Sequence, residues 1–471
     1  MPDRPPGPIW VGETAHRRGP GGPPGAGLHV PPRFTTARLL VTDAGLPVGQ
    51  VDVPLTGGRA SAGEIGRATA AVVAATPPEP PPTSDEPMTV VVATRGRPES
   101  VRRCLAAILA GDHAAVTVLV VDNDPPDGST RDVVAAFGDE RVRYVHELRR
   151  GVSVGRNRGL AEARTEVVAF TDDDTEPDRR WASRIAGAFA ADPGLTGLSG
   201  PVLAARLDTP QERAADVALA WNKGFAPRRF RLDDPPSDSP VFPFSPGLFG
   251  IGANLAVRAR RVRELGGFDE ALGPGRPTRG GEDIELLVRI VLDGGTLGYL
   301  PAAYVWHHHR PSDGELRDQL GGYALGLGAF LGKVALDGRA RRLALRRFPA
   351  GIARLREIVR RESAGAGDAP EPEPAAGAVV PGPAPAGGDA GAADATPGAG
   401  PSAVAVAEVA EVAEVPADPE ERRHETVALP DGAAARKLRG LAGGPVLYLR
   451  TRRQVLAEGG SCPPLTAPDR N

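Results

Sequence analysis

From Met88 onward the chain repeats one pattern: a short apolar run, a polar end, then a stretch with helical spacing. The runs are Thr89–Ala93, Val116–Val121, Val142–Val145 and Val167–Phe170. Between and after them, Val101, Leu105, Ile108 and Leu109, then Val154–Ala163 and Trp181–Phe189, read as helices. Runs this short and this continuous fit strands buried on both faces. Their alternation with helices predicts an α/β fold built on a mainly parallel, helix-flanked sheet. Pro98 stands where the first of these helices can begin.

The flanks read differently. Residues 1–33 are rich in Pro and Gly and are expected to be disordered. Residues 34–75 form a small β/α extension: Leu39–Thr42 and Val48–Val53 make a hairpin around Asp43-Ala44-Gly45, and 61–75 suits an Ala-rich helix. A Pro-rich linker, 76–87, leads into the main domain at 88–338. Within it, 195–260 is less regular, Ile284–Leu292 and Leu316–Leu336 read as helices, and Leu297–Leu300 as a strand. Residues 339–361 form a basic helical stretch. Residues 362–421 are low-complexity and expected to be disordered. Residues 422–471 are a tail, ordered in part at most, with Pro445–Leu449 a candidate strand.

Charge excludes one class of partner. Lys and Arg number 56 against 59 Asp and Glu, so the basic excess of a nucleic-acid binder is missing. Cys104 and Cys462 supply neither a disulfide framework nor metal-ligand spacing, which fits a reducing compartment. No apolar stretch of the ~18 residues needed to span a membrane occurs, and no secretory signal pattern opens the chain. The expected location is the cytoplasm.

In an open α/β sheet, ligands sit beyond the carboxyl ends of the strands. Those ends carry Thr94-Arg95, Asp122-Asn123 and Asp172-Asp173-Asp174. Adjacent carboxylates repel unless a cation lies between them. Strand alternation would point Asp172 and Asp174 to one side, where Mg²⁺ or Mn²⁺ could be shared with phosphate oxygens. An acidic turn capping the following helix is the competing reading. Glu282 and Asp283 open another helix, where carboxylates serve either as caps or, for Asp283, as a general base toward an incoming hydroxyl. Gly280 and Gly281 would let a sugar approach the backbone. In an extended His307-His308-His309, the first and third share a face. One of them could complete a metal shell, or could pack on Trp306.

Taken in order, these segments resemble glycosyltransferase family 2. The resemblance runs from about Met88 to about Lys333. It rests on Val90–Pro98, Val120–Asn123, Gly151 with Gly155–Gly159, Phe170–Asp174, Gly266–Glu270 and Gly280–Asp283. It implies a GT-A fold and inverting transfer from a nucleotide-sugar donor, most commonly a UDP-sugar, to a hydroxyl acceptor. It implies that Thr94, Arg95, Arg97, Asp122, Arg156, Asn157, Asp172 and Asp173 serve the nucleotide sugar. Asp174, with Asp172 and His307, would hold Mg²⁺ or Mn²⁺. Asp283, beside Glu282, would be the base, and Asn254, Asp269 and Gly281 would line the acceptor side. The Gln-x-x-Arg-Trp motif of processive members is missing after Asp283, which implies addition of one or a few sugars in cell-envelope, polysaccharide or secondary-metabolite synthesis.

Two other classes compete. A catalytically inactive nucleotide- or carbohydrate-binding module is disfavoured by the intact acids. A sugar-1-phosphate nucleotidyltransferase is disfavoured because Thr94-Arg95-Gly96-Arg97 has one glycine and no lysine. The Leu- and Arg-rich 339–361 stretch suits either contact with an anionic membrane surface, at the inner face of the plasma membrane, or packing on the main domain. The residues are silent on oligomeric state.

Overall fold

A computed structural model of the chain describes residues 7–16, 27–74, 78–245, 247–310, 312–347, 349 and 433–466, with side chains of the last stretch from 439 onward. The expected disorder at 362–421 lies outside these residues, as does most of 348–361.

The N-terminal piece is a three-stranded sheet of β1 (Ile9–His16), β3 (Thr36–Asp43) and β4 (Leu46–Pro54), with β2 (Leu28–His29) paired to β5 (Arg59–Ala60) and helix α1 (Ala62–Ala70) behind. Ala44 and Gly45, both with positive φ, close the tight β3–β4 turn. The strand β1 corrects the expectation of disorder over 1–33. Ile9 and Val11 pack on Ala204 and Leu207 of the main domain, a long-range contact that the local Gly- and Pro-rich composition hides.

The main sheet has eight strands in the order β13-β15-β11-β14-β9-β6-β7-β8. Its parallel half joins β9 (Val167–Asp172), β6 (Met88–Thr94), β7 (Val116–Asn123) and β8 (Val142–Glu147). Helices α2 (Pro98–Leu109), α3 (Ser129–Phe137), α4 (Val152–Glu162) and α5 (Trp181–Ala191) flank it. Alternate residues go to two cores: Val91, Leu119, Val121 and Phe170 to one, Val90, Val92, Val118, Val120 and Ala169 to the other. Burial on both faces is why the runs are continuous rather than alternating.

Residues 195–260, expected to be irregular, hold β11 (Leu195–Ser199), β12 (Val202–Ala204), α6 (Pro210–Leu219), β13 (Arg228–Phe230) and β14 (Asn254–Arg258). Strand β14 inserts antiparallel between β9 and β11. After α7 (Ala259–Glu264) and α8 (Glu282–Leu292), β15 (Thr296–Tyr299) returns to the sheet. A small second sheet places β16 (Val305–His307) between β10 (Thr175–Pro177) and β12.

Helix α9 (Asp313–Leu336) accounts for its own glycines. On one line, a Cβ at Gly326 would strike the backbone of Gly280, and one at Gly281 would lie 2.6 Å from the Gly326 carbonyl. On another, Gly328 and Gly332 meet Leu441 and Pro445 of α10 (Ala433–Ala457), while Gly440 meets Ala324. The paired numbers rise together, so α9 and α10 run parallel. The expected strand at Pro445–Leu449 is therefore wrong: Pro445 sits inside a helix, and packing along this glycine seam offsets its missing N–H.

Candidate active site

The register of the parallel strands decides which polar groups meet. Thr94 pairs with Asp122, and Ala93 with Asp172, so three strand ends finish at one edge of the sheet. Thr94 Oγ1 donates to Asp173 Oδ2 at 2.6 Å. Arg97 donates to Asp173 at 2.5 Å and to Asp174 at 2.7 Å. Arg95 turns outward to Asp124, at 3.1 Å. Asp122 accepts from Tyr144 at 3.0 Å, its other oxygen is buried without a partner, and burial raises its pKa.

Asp172 parts company with the next two acids. Strand β9 ends there and the chain turns, so alternation no longer applies to 173 and 174. Asp172 faces Arg156, which donates to it at 3.0 Å and to Glu282 Oε1 at 3.0 Å. A single buried guanidinium thus joins two acidic segments far apart in the sequence. It fits because residue 252 is glycine: a Cβ there would come within 2.8 Å of the Arg156 nitrogens. The Gly252 amide donates to Asp283 Oδ2 at 2.9 Å, so the same backbone seats both Arg156 and Asp283.

These acids outnumber the cations that face them. Burial, opposed by Arg97 and reinforced by Asp174, pushes Asp173 up to about 7. Burial and the adjacent Asp283 charge, opposed by Arg156, push Glu282 up to about 7. Asp174 goes the other way: burial is overcome by His307 and Arg97, which hold it well below the usual carboxylate range.

Antiparallel pairing of β10 with β16 sets Thr175 opposite His307 and brings His307 Nε2 to 3.2 Å from Asp174 Oδ1. His307 and His309 do share a side, with rings 5.2 Å apart, while His308 reaches Glu176 at 2.6 Å. The aromatic neighbour of His307 is Trp221, at 4.7 Å, rather than Trp306. Nothing in the local sequence signals this contact, nor the Arg38 of the N-terminal sheet that donates to Asp216 at 2.6 Å, with Asp216 lying 3.7 Å from His309.

Among the described residues, no three carboxylate, imidazole or thiol groups gather around one point as a metal cage. Asp174 and His307 make a two-group set with an oxygen and a nitrogen donor. A cation on a diphosphate needs only one or two protein ligands, so these two fit. Asp172 is paired to Arg156 and lies apart from that set.

The acceptor-side expectations are also corrected. Asn254 is buried, with its amide nitrogen donating to the Pro201 and Ala303 carbonyls and its oxygen accepting from Trp181. Asp269 is fully buried and takes Lys333 Nζ at 2.6 Å, Tyr448 OH at 2.9 Å and the Ala271 amide at 2.9 Å. Gly280 and Gly281 admit α9 rather than a sugar. Asn157 clamps the backbone of Phe268 from both ends and donates to Glu270, so it shapes the 266–270 turn.

Comparison with known proteins shows the family. Residues 89–250 match the model of Glycosyl transferase family 2. The succinoglycan biosynthesis protein ExoO of Rhizobium meliloti is 30% identical over 271 residues, covering 55% of this chain and 72% of that protein. The chain belongs to glycosyltransferase family 2. The pre-mycofactocin glycosyltransferase of Mycobacterium tuberculosis is 31% identical over 236 residues, 49% of this chain, and the match spans only 44% of that family member. A mannosyltransferase from Pyrobaculum calidifontis, solved with GDP-Man and Mn²⁺, aligns at 20% identity with a TM-score of 0.39, over 61% of this chain and 84% of that one. Glu282, Asp283 and His307 lie past the end of the family-model match, and the fold sets Glu282 near Asp172 through Arg156 and His307 beside Asp174.

Proposed function

We propose that the protein is an inverting, non-processive glycosyltransferase that moves a sugar from a nucleotide-sugar donor to a hydroxyl acceptor. The observation that carries this reading is the Arg156 bridge, which sets Glu282 and Asp283 against the acids at the end of β9. Asp283 takes the proton of the acceptor hydroxyl as its oxygen bonds to the anomeric carbon. The bond from that carbon to the diphosphate breaks in the same step, and the configuration inverts. Thr94, Arg95 and Asp122, at the strand ends, receive the nucleoside. Asp174 and His307 would hold Mg²⁺ or Mn²⁺, which when bound neutralises charge on the leaving diphosphate. Arg97, now on Asp173 and Asp174, is the side chain that must yield as donor arrives. Relatives named for succinoglycan biosynthesis and for pre-mycofactocin support an acceptor in cell-envelope, polysaccharide or secondary-metabolite synthesis.

A thermal-shift screen of UDP-, GDP- and dTDP-sugars with Mn²⁺ tests the reading, because a bound donor stabilises by mass action. UDP-sugars are expected to raise the melting temperature most, and Asp174→Asn to abolish the Mn²⁺-dependent part. If no nucleotide sugar shifts the transition, the reading fails.

A further inference from the structure

The exposed apolar residues are unevenly placed. Among the described residues, eight large hydrophobics stand clear of the surface, and five of them, Leu336 (54% exposed), Leu345 (64%), Val446 (61%), Leu449 (39%) and Leu456 (46%), are in the C-terminal helical region. On α10 they follow a rule. Leu441, Gly444, Tyr448, Thr451 and Val455 are buried against the domain, while Ala442, Val446, Leu449, Arg453 and Leu456 are exposed, spaced by three and four on the opposite face. Residues 338–347 are also helical: Ala340 is buried, and Arg341, Arg342, Leu345 and Arg346 are exposed. The two stretches adjoin. Asp337 accepts from Thr466, nine residues past the end of α10, at 2.9 Å, and continuing the Gly332–Pro445 seam by one turn brings Leu336 level with Leu449.

Charge settles what this face suits. Residues 338–347 and 439–457 contain nine arginines (339, 341, 342, 346, 347, 439, 450, 452 and 453) and no Asp or Glu. The whole chain has a net charge of −3, so without these nine arginines the rest is acidic, 47 basic against 59 acidic residues. No helix among the described residues is long and apolar enough to cross a membrane. We infer that the outward face of α10, with 336–346 beside it, docks flat on an anionic lipid bilayer. Leucine and valine tips enter the headgroup boundary while arginines meet the lipid phosphates. This goes beyond the proposed transfer reaction and does not depend on it. It also gives α9 a second role, because α9 packs on α10, which carries this face, and on its other line abuts the Gly280–Gly281 turn before Asp283.

Flotation of the full chain with vesicles of phosphatidylcholine alone, or with about 30% phosphatidylglycerol, tests the inference. Binding is expected only to the anionic vesicles and should weaken at high salt. V446E/L449E is expected to lower the bound fraction at least tenfold. L345E, on the other stretch, should lower it less, and all three positions are exposed, so folding is retained. Failure of the wild-type chain to float with anionic vesicles at low salt overturns the inference. So does binding that survives V446E/L449E, or light scattering that shows a dimer dissolved by the same pair, since a second copy would then cover the face. A donor-induced thermal shift is read separately and is untouched by any of these outcomes.

Discussion

Two clusters of buried charge share α8, a front one at its first residues and a rear one farther along it, and they differ in balance. In the rear cluster, Asp269 and Glu285 face Lys333 and Arg289. Lys333 reaches both acids, at 2.6 and 2.7 Å, and Arg289 binds Glu285 through two nitrogens and also holds the carbonyls of Leu265 and Gly267. In front, Asp172, Asp173, Asp174, Glu282 and Asp283 face Arg97, Arg156 and His307. The first cluster is closed and neutral, and its acid Asp269 is held below its usual pKa, because Lys333 and its hydrogen bonds outweigh burial. The second has surplus acid, and burial leaves two of its carboxyls titrating near 7. A balanced buried network is scaffold; a surplus of one sign at a sheet edge marks a candidate functional site.

Substitutions should separate the two clusters sharply. The largest effect is expected at Asp283→Asn, which should cut donor turnover by about 10²- to 10⁴-fold with little change in melting temperature; a loss under tenfold would remove Asp283 from the role of base. Lys333→Met should do the reverse. It takes the cation from buried Asp269, while Glu285 keeps Arg289, and should cost about 3–5 kcal/mol in urea unfolding. A cost near zero would mean that the rear cluster is not the scaffold it resembles. Tyr448→Phe removes one hydrogen bond to a charged group and should cost about 1–3 kcal/mol, showing that α10 is part of the folded domain.

The smallest effect depends on pH. Glu282 has a folded pKa above its unfolded one, so what it contributes to stability is full below about 4.5 and is lost as pH rises through about 7. Glu282→Gln should therefore be less stable than wild type, or equal to it, at pH 5 and gain on it by pH 8. A stability difference between the two proteins that stays constant from pH 5 to 8 would contradict the surplus of acid in the front cluster.

The comparison also explains what could be read from the chain alone. The strands β6, β7, β8 and β9 and the acids at their ends were legible because burial on both faces writes itself as unbroken apolar runs. The roles given to Asp174, His307 and Asp283 came from a resemblance, because a helix start alone leaves capping and catalysis equally open. Asn254 and Asp269 misled for one reason. Both are polar residues in suggestive positions, and only packing shows that their hydrogen bonds are consumed inside the domain. Asp172 misled because alternation was carried two residues past the end of its strand. Strand β1, Trp221 and α10 had no local signal, since each is fixed by a partner more than 80 residues away.

Helix propensity alone says that replacing glycine with alanine strengthens a helix by up to about 1 kcal/mol. Helix α9 should invert that rule. With bare backbone on two of its sides, it acts as a spacer of minimum thickness between the turn ahead of Asp283 and the C-terminal helix. A methyl group at Gly326 would press on the Gly280 backbone, and one at Gly328 would come within 2.5 Å of the Leu441 carbonyl. The same small change, made on either side of one helix, would wedge apart the reaction centre or loosen the outer layer.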